Sequence, residues 1–278
     1  MSAPNEQSAI IANGLTVGKG GVRILNDLSF EMPAASFTAL VGANGAGKTT
    51  LFETLLGLVE PHAGSVRVLD QLPARARQRI AYVPQAVQLS CDAHFLGRDF
   101  VAAAYRGHRW GVPLRPRAVA RAVDSALASI GAESLGQRRL AALSGGQRQR
   151  LMVAQALVNQ PGLLLMDEPL AQLDPAAQHE IVELAAHLRD VYGISVLFST
   201  HDVNPVVGVT DHVLYLACCQ GRIGHVDEII TDQVLTELYG VPMHVVRERG
   251  QIFVMRDTQQ DGAQPELTPL ESVQRVAS

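Results

Sequence analysis

Gly42-Ala43-Asn44-Gly45-Ala46-Gly47-Lys48-Thr49-Thr50 is the stretch whose reading decides the fold. The apolar run Thr38-Ala-Leu-Val41 precedes it as a buried strand, and Leu51-Phe-Glu-Thr-Leu-Leu-Gly-Leu58 continues from it as a helix. Strand, glycine loop and helix in that order form the context in which G-x-x-x-x-G-K-[ST] predicts phosphate binding. Gly42, Gly45 and Gly47 let the backbone bend so that successive N–H groups point inward as an anion nest. The helix start adds its partial positive charge. Lys48 is expected to reach the β- and γ-phosphates of a nucleoside triphosphate, and the Thr49 hydroxyl to ligate Mg²⁺. A chance glycine-rich turn would not bring the strand, the helix and the Lys-Thr pair together.

The 278 residues suffice for one large domain, or for one domain with an appendage. With 47% hydrophobic and 18% charged residues and a mean hydropathy of +0.11, there is material for a parallel sheet buried on both faces. A net charge of −4 gives no support to general nucleic-acid binding. No apolar run approaches the roughly 18 residues needed to span a bilayer. The N-terminal Met1-Ser-Ala-Pro-Asn-Glu-Gln-Ser8 lacks a basic region followed by an apolar one, so no signal peptide is expected. Three cysteines, two of them the adjacent Cys218 and Cys219, do not make a disulfide framework. A reducing cytoplasm is the expected site, and any membrane role is peripheral.

Outward from the loop, Ile10 to Val17 and Val22 to Met32 alternate apolar and polar residues around Gly18-Lys-Gly-Gly21, which predicts an antiparallel hairpin. Ser65 to Leu69 and Ile80 to Val83 read as strands, joined by a basic connection from Asp70 to Arg79. From about Ala86 to Asn159 the pattern turns helical. Phe95, Leu96, Phe100, Val101 and Tyr105 recur at helical spacing, and Ala118 to Ile130 is an amphipathic helix stopped by Gly131. That block is expected to be a helical subdomain inserted into an α/β domain. Leu163 to Met166 is a fully apolar strand, followed by a helix from Pro175 to Val191 and a strand from Ile194 to Thr200. A closing hairpin is expected over 211–226, then a helix from Thr231 to Tyr239 capped by Gly240. The boundaries drawn are a main domain at 9–245, with its helical insertion at 86–159, and an appendage at 246–278. The appendage is read as one strand, Gln251 to Met255, and a disordered tail from Arg256.

A carboxylate at the C-terminal end of a parallel strand projects into the crevice where ligands bind. Asp167 is therefore expected to hold Mg²⁺ opposite Thr49, and Glu168 to orient or deprotonate the attacking water. Gln85 and His201 also follow buried strands and would face the γ-phosphate, Gln85 as a contact to Mg²⁺ or water and His201 as a hydrogen-bond donor. Taken alone, each has a plainer reading, as a turn residue after Pro84 and as a helix N-terminal residue. Leu143-Ser144-Gly145-Gly146-Gln147 places a serine and two glycines at a helix start, which is a second phosphate-binding surface. One nucleotide rarely needs two such surfaces. The economical expectation is that this one serves the nucleotide of a second subunit across a head-to-tail interface.

Together these residues resemble the ATP-binding subunits of ABC transporters. The Walker A loop is Gly42–Thr50, Gln85 matches the Q-loop, Leu143–Gln147 the signature and Leu163–Glu168 Walker B. Leu170-Ala-Gln-Leu-Asp174 matches the D-loop and His201 the switch histidine, all in the family's order over about residues 10–240. The resemblance implies a P-loop NTPase of ABC ATPase type: a mixed core sheet with an antiparallel β subdomain and an inserted α-helical subdomain. It also implies two ATP molecules sandwiched between two such subunits, identical or homologous, whose closure moves a pair of membrane permease subunits. Two places depart from the family. Lys19 stands where an aromatic residue usually stacks on adenine, leaving the stacking lost or replaced by a cation–π contact of roughly 0.5–2 kcal/mol. Ala171 stands where a serine often leads the D-loop.

Phe95, Phe100 and Tyr105, with Arg106, His108, Arg109, Arg115, Arg117 and Arg121 nearby, have two readings: a groove for a permease helix, or core aromatics beside a solvated face. Arg79 to Gln85, Asp167 to Asp174, Ser199 to Pro205 and Leu235 to Gly240 resemble bacterial zinc/manganese uptake ATPases. This implies an importer motor on the cytoplasmic face of the inner membrane, fed indirectly by an extracytoplasmic solute-binding protein. The alternatives are a soluble ABC ATPase in nucleic-acid or assembly processes, or a motor for another cargo such as a metal chelate. No sustained heptads and a single cassette count against the soluble class, and no nucleic-acid partner is expected. Cys91, Asp92 and His94 supply at most three metal ligands and are read as incidental.

Overall fold

Along the central strands the apolar residues alternate between two faces, and each face has its own cover. The computed structural model describes residues 8–85, 95–105 and 116–256. Strand β1 (Ser8–Lys19) turns at Gly20-Gly21 into β2 (Val22–Pro33), and β1 pairs on its other edge with β4 (Ala63–Val68). This three-stranded antiparallel sheet has the order β2-β1-β4. Strand β3 (Phe37–Gly42) runs into the phosphate loop and helix α1 (Lys48–Leu55). After β4 come the short α2 (Pro73–Ala76), a 3₁₀ turn at Arg77–Arg79 and β5 (Ile80–Val83).

Helices α3 (Gly97–Ala103), α4 (Pro116–Ala128) and α5 (Gly145–Leu157) then precede β6 (Leu163–Met166). Helix α6 (Pro175–Tyr192) crosses to β7 (Ser195–Thr200), followed by β8 (His212–Ala217) and β9 (Gln220–Gly224). The chain closes with α7 (Val226–Ile229), α8 (Asp232–Tyr239) and a hairpin of β10 (Met243–Glu248) and β11 (Gln251–Arg256). The second sheet has the order β5-β6-β7-β3-β8-β9, in which β9 alone runs antiparallel to its neighbour. Strand returns by helical crossovers make a parallel sheet, and the helices cover it.

The period-two pattern assigns the faces. Leu40, Leu163, Leu165, Leu197, Leu214 and Leu216 pack with α1 and the antiparallel sheet. Their neighbours Val41, Leu164, Met166, Phe198, Val213 and Tyr215 pack with α5, α6 and α8. Residues of α3 and α4, such as Val101, Val123 and Leu127, join that second core, as do Met243, Ile252 and Val254 of the last hairpin.

Two expectations need correction. The sequence pattern predicts one strand near the C-terminus, whereas β10 and β11 form a hairpin turning at Arg249 and Gly250, both with positive φ. In β10 only Met243 is buried, so its alternation is too weak to register as a strand. The border at 245 falls inside β10, and Arg256, the expected start of a tail, closes β11. Cys91, Asp92, His94, Arg106, His108, Arg109, Arg115 and the tail beyond Arg256 lie outside the described residues.

His212 opens β8 with its ring stacked on that of His225, centroids 4.9 Å apart. Its Nδ1 is buried with no hydrogen-bond partner among the described residues. Burial first, and then the neighbouring His225, hold its pKa below the ordinary 6.5, against weaker opposite pulls from Asp211 and Glu228. The unfolded chain therefore binds this proton more readily than the folded one. Stability associated with His212 is complete above pH 6.5 and is lost as pH falls toward the folded-state value. The urea midpoint of the wild-type chain is expected to drop between pH 7.5 and 5.5, and to drop less in His212→Leu. An equal drop in both would refute the assignment.

Candidate functional site

Parallel register brings four strand ends to one edge of the central sheet. Val41 of β3 lies opposite Thr200 of β7, Met166 of β6 opposite Phe198, and Val83 of β5 opposite Met166. The residues just beyond, Gly42, His201, Asp167 and Gln85, therefore share that edge, the C-terminal one at which open α/β sheets bind ligands.

Gly42 closes β3 against β8, where a Cβ would stand only 2.6 Å from the Leu216 carbonyl oxygen. After Ala43, the exposed Asn44 and Gly45, and Ala46, the chain reaches Gly47, the N-cap of α1 with φ +102. A side chain there would be strained and would meet Leu25 Cδ2 at 2.9 Å. Lys48, only 5% exposed, donates from Nζ to the carbonyls of Gly42 (2.7 Å) and Ala43 (3.3 Å). Its counter-charge is Glu168, with Oε1 at 3.2 Å. Thr50 faces inward, while the exposed Thr49 donates its hydroxyl to Asp167 Oδ2 at 3.2 Å.

The two carboxylates have separate partners. Asp167 is buried, and its Oδ1 accepts from Ser199 Oγ (2.9 Å) while Oδ2 also accepts from the Tyr82 hydroxyl (3.2 Å). Burial, and then the Asp167 charge, push the Tyr82 hydroxyl well above its ordinary pKa, so it remains a donor. Ser199 Oγ in turn accepts from the Glu168 backbone N–H at 2.8 Å. Glu168 sits at φ +43, a left-handed conformation that a side-chain-bearing residue adopts at a cost. Its Oε2 accepts from Gln85 Nε2 at 3.1 Å. The side chains of Gln85, Glu168 and Lys48 thus form one set and those of Thr49, Asp167, Tyr82 and Ser199 another, joined through the Glu168 N–H on Ser199. Tyr82 and Ser199 were not singled out from the sequence. No local signal in the sequence marks either hydroxyl as a partner of Asp167.

His201 lies one residue beyond β7, half-buried, beside Gly42 by register. The glycine-rich segment Leu143–Gln147 is elsewhere. Ser144 caps α5, its Oγ accepting from the Gln147 N–H (3.3 Å) while Gln147 Oε1 accepts from the Ser144 N–H (3.2 Å). This capping box leaves Gly145 exposed and Gly146 half-exposed. Asp174 caps α6 in the same neighbourhood, accepting from the Ala177 N–H at 3.0 Å. The two helix starts open on one cleft of about 390 Å³, lined by Ser144, Gly146, Gln147, Arg150 and Asp174. Among the described residues no hydrogen bond or ion pair joins Ser144–Gln147 to the phosphate loop.

Lys19 is 62% exposed and both carboxylate oxygens of Glu53 on α1 lie 3.1 Å from its Nζ. It therefore presents an ion pair, not a bare cation, at the hairpin turn. Of the aromatics beyond β5, Phe100 and Tyr105 pack partly buried against the main core, whereas Phe95 is 52% exposed. Among the described residues no helix is long and apolar enough to cross a membrane.

Residues 25–171 match the family model described as ABC transporter. The chain is 35% identical over 224 residues to the zinc import ATP-binding protein ZnuC of Pseudomonas putida, covering 80% of this chain and 79% of that one. It is 32% identical over 233 residues to the chelated iron transport system membrane protein YfeB of Yersinia pestis, covering 83% and 78%. Among solved structures it superposes with a TM-score of 0.75 on a chain of a transporter described as of the metal-chelate ABC type, in an inward-facing conformation. That pair is 27% identical, over 91% of this chain and 99% of the other. With the phosphate loop, the paired carboxylates and the separate glycine-rich helix start in place, the chain belongs to the ABC transporter family as an ATP-hydrolysing subunit.

Proposed function

We propose that this subunit drives uptake of a divalent metal ion, of the zinc or manganese type, through a separate membrane permease. The observation that carries the catalytic part is the division of labour between the two adjacent carboxylates. Asp167 is held by three hydroxyls, whereas Glu168 touches the buried lysine and Gln85.

In this reading the backbone of Gly42 to Gly47 and the start of α1 cradle the triphosphate of ATP, with Lys48 and Thr50 as flanking contacts. The Thr49 hydroxyl and Asp167 carboxylate, 3.2 Å apart, are hard oxygen donors that fit Mg²⁺, with Gln85 as a further ligand. Mg²⁺ supplies neutralisation of the charge on the β- and γ-phosphate oxygens. Lys48 exchanges its Glu168 contact for a phosphate oxygen, which frees the carboxylate. Glu168 then accepts the proton of the attacking water, and His201 donates a hydrogen bond to the γ-phosphate. Ser144, Gly145, Gly146 and Gln147 meet the γ-phosphate of a second subunit, identical or homologous, so that ATP binding becomes dimerisation. Their separation from the phosphate loop in the chain's own hydrogen-bond network supports that assignment.

The ATPase domain is taken to begin at residue 9 with its helical subdomain inserted at 86–159. The C-terminal appendage begins at Met243 and not at 246, because β10 is continuous through that border. The subunit works peripherally at the cytoplasmic face of the inner membrane, with the extracytoplasmic binding protein an indirect partner. The zinc import and chelated-iron transport functions of the two relatives support a metal cargo.

Glu168→Gln is expected to slow hydrolysis by about 10²–10⁴-fold while sparing ATP binding, so that an ATP-dependent dimer accumulates on size-exclusion chromatography. Normal turnover in the variant would overturn the base assignment. In proteoliposomes containing the permease partners and the binding protein, ATP-dependent accumulation of Zn²⁺ or Mn²⁺ should require this chain. Accumulation of a metal chelate alone would shift the cargo to that class, and no metal accumulation at all would sink the uptake reading.

A further inference from the structure

The segment that carries His201 is not a regular helix. Residues 204–209 run as consecutive turns, with Val206 N–H donating to the Val203 carbonyl and Val209 N–H to that of Val206, both at 3.0 Å. The sequence explains this. Pro205 has no N–H and disfavours the helical conformation at the residue before it, and Gly208 further lowers the helical propensity of the segment. Something other than a helix must hold the segment in place.

Asn204 has a half-buried side chain that makes a closed set of contacts. Its Nδ2 donates to the backbone carbonyl of Ile252 at 2.9 Å, and its Oδ1 accepts from the Ile252 N–H at 2.7 Å. The side-chain amide thus pairs with residue 252 as the backbone of a neighbouring strand would. The same Nδ2 donates to Asp202 Oδ1 at 2.8 Å, and that oxygen also accepts from the Asn204 N–H at 2.9 Å. Asp202 is tied onward to Thr200, whose Oγ1 donates to the Asp202 carbonyl (2.7 Å) and accepts from the Asp202 N–H (3.1 Å). His201 is the residue between those two. A continuous hydrogen-bonded path therefore leads from β11 through Asn204 and Asp202 to both flanks of His201.

The far end of that path is firmly seated. Asp232 at the start of α8 accepts from the Val245 N–H at 2.7 Å, and the Thr236 hydroxyl accepts from the Met243 N–H at 3.0 Å. Arg247 pairs with Asp227 at 2.9 Å and donates to the Ile230 carbonyl at 3.1 Å. Ile252 and Val254 are buried in the same core as Val203 and Val206.

We infer that Asn204 is a positioning residue, and that the β10–β11 hairpin is the support against which it holds His201 in register with the phosphate loop. The inference rests on the role proposed above for His201. It makes the C-terminal hairpin part of the hydrolytic apparatus, and a change in how the hairpin is seated would reach the γ-phosphate site through one side-chain amide.

The test is a double-mutant cycle in the full-length chain. Asn204→Leu keeps the approximate volume and removes the amide pairing with Ile252. It is expected to lower kcat for ATP hydrolysis about tenfold, within the roughly 10²-fold that an ångström of misplacement can cost. KM for ATP, set by the phosphate loop, should stay within about twofold. In a His201→Ala background, Asn204→Leu should change kcat by less than about twofold, because its effect passes through the histidine. Thermal unfolding and circular dichroism establish that each variant is folded. If Asn204→Leu does not fold, Asn204→Asp takes its place, keeping an acceptor for the Ile252 N–H while losing both donations. A folded Asn204 variant with unchanged kcat, or effects that simply multiply in the double mutant, overturns the inference while leaving the function of His201 intact. Normal turnover in His201→Ala overturns both.

Discussion

A lysine ammonium buried among loop carbonyls must have a counter-charge, because an unpaired charge away from water costs several kcal/mol. At Lys48 that charge comes from Glu168, which belongs to a different strand and lies far along the chain. The ion pair therefore ties the end of β3 to the end of β6. It requires the phosphate loop to fold over the lysine, β6 to sit two places away in the sheet, and Glu168 to take up a left-handed backbone conformation. Ser199, from the strand lying between them, accepts from the Glu168 N–H and so supports that conformation.

The same arrangement keeps the neighbouring carboxylate distinct. Adjacent residues at a strand end would repel if both faced one point. Here Asp167 turns into a set of hydroxyls from Thr49, Tyr82 and Ser199, while Glu168 turns toward the ammonium and Gln85. Hydroxyl donors stabilise an ionised carboxylate without cancelling its charge, which leaves Asp167 suited to a cation. The carboxylate on Glu168 is matched by a cation whose natural competitor is phosphate. Which partner holds Lys48 is the point on which the proposed mechanism turns, and it is set by geometry and not by residue type.

The glycine-rich start of α5 stands apart from this network. Its capping box satisfies the Ser144 and Gln147 backbone donors internally, and the cleft it shares with the start of α6 opens outward. Two helix N-termini facing one cleft concentrate partial positive charge there. That surface and the phosphate loop belong to one chain but to separate places on it, as a head-to-tail pairing of subunits requires.

Most of the core was legible in the amino-acid sequence, because burial on two faces leaves long apolar runs and glycine, proline and capping residues mark their ends. Ala39–Val41, Leu163–Met166 and Val196–Phe198 are such runs, and Ser144, Asp174 and Thr231 are such caps. Hydrogen-bond partners distant in the chain were not legible. Nothing local in Tyr82 or Ser199 announces contact with Asp167, and β10 buries too few residues to stand out. In the sequence Lys19 leaves adenine stacking either lost or replaced by a cation–π contact, and in the fold Glu53 on α1 stands beside it. Asn204 reads as an ordinary residue before a proline, and its pairing with Ile252 exists only once the last hairpin folds back on the turn after β7. Local patterning specifies elements because it depends on neighbours one turn or one pleat away. Which polar groups meet, and hence what the site can do, depends on contacts between residues far apart in the chain, and those are made only by the tertiary structure.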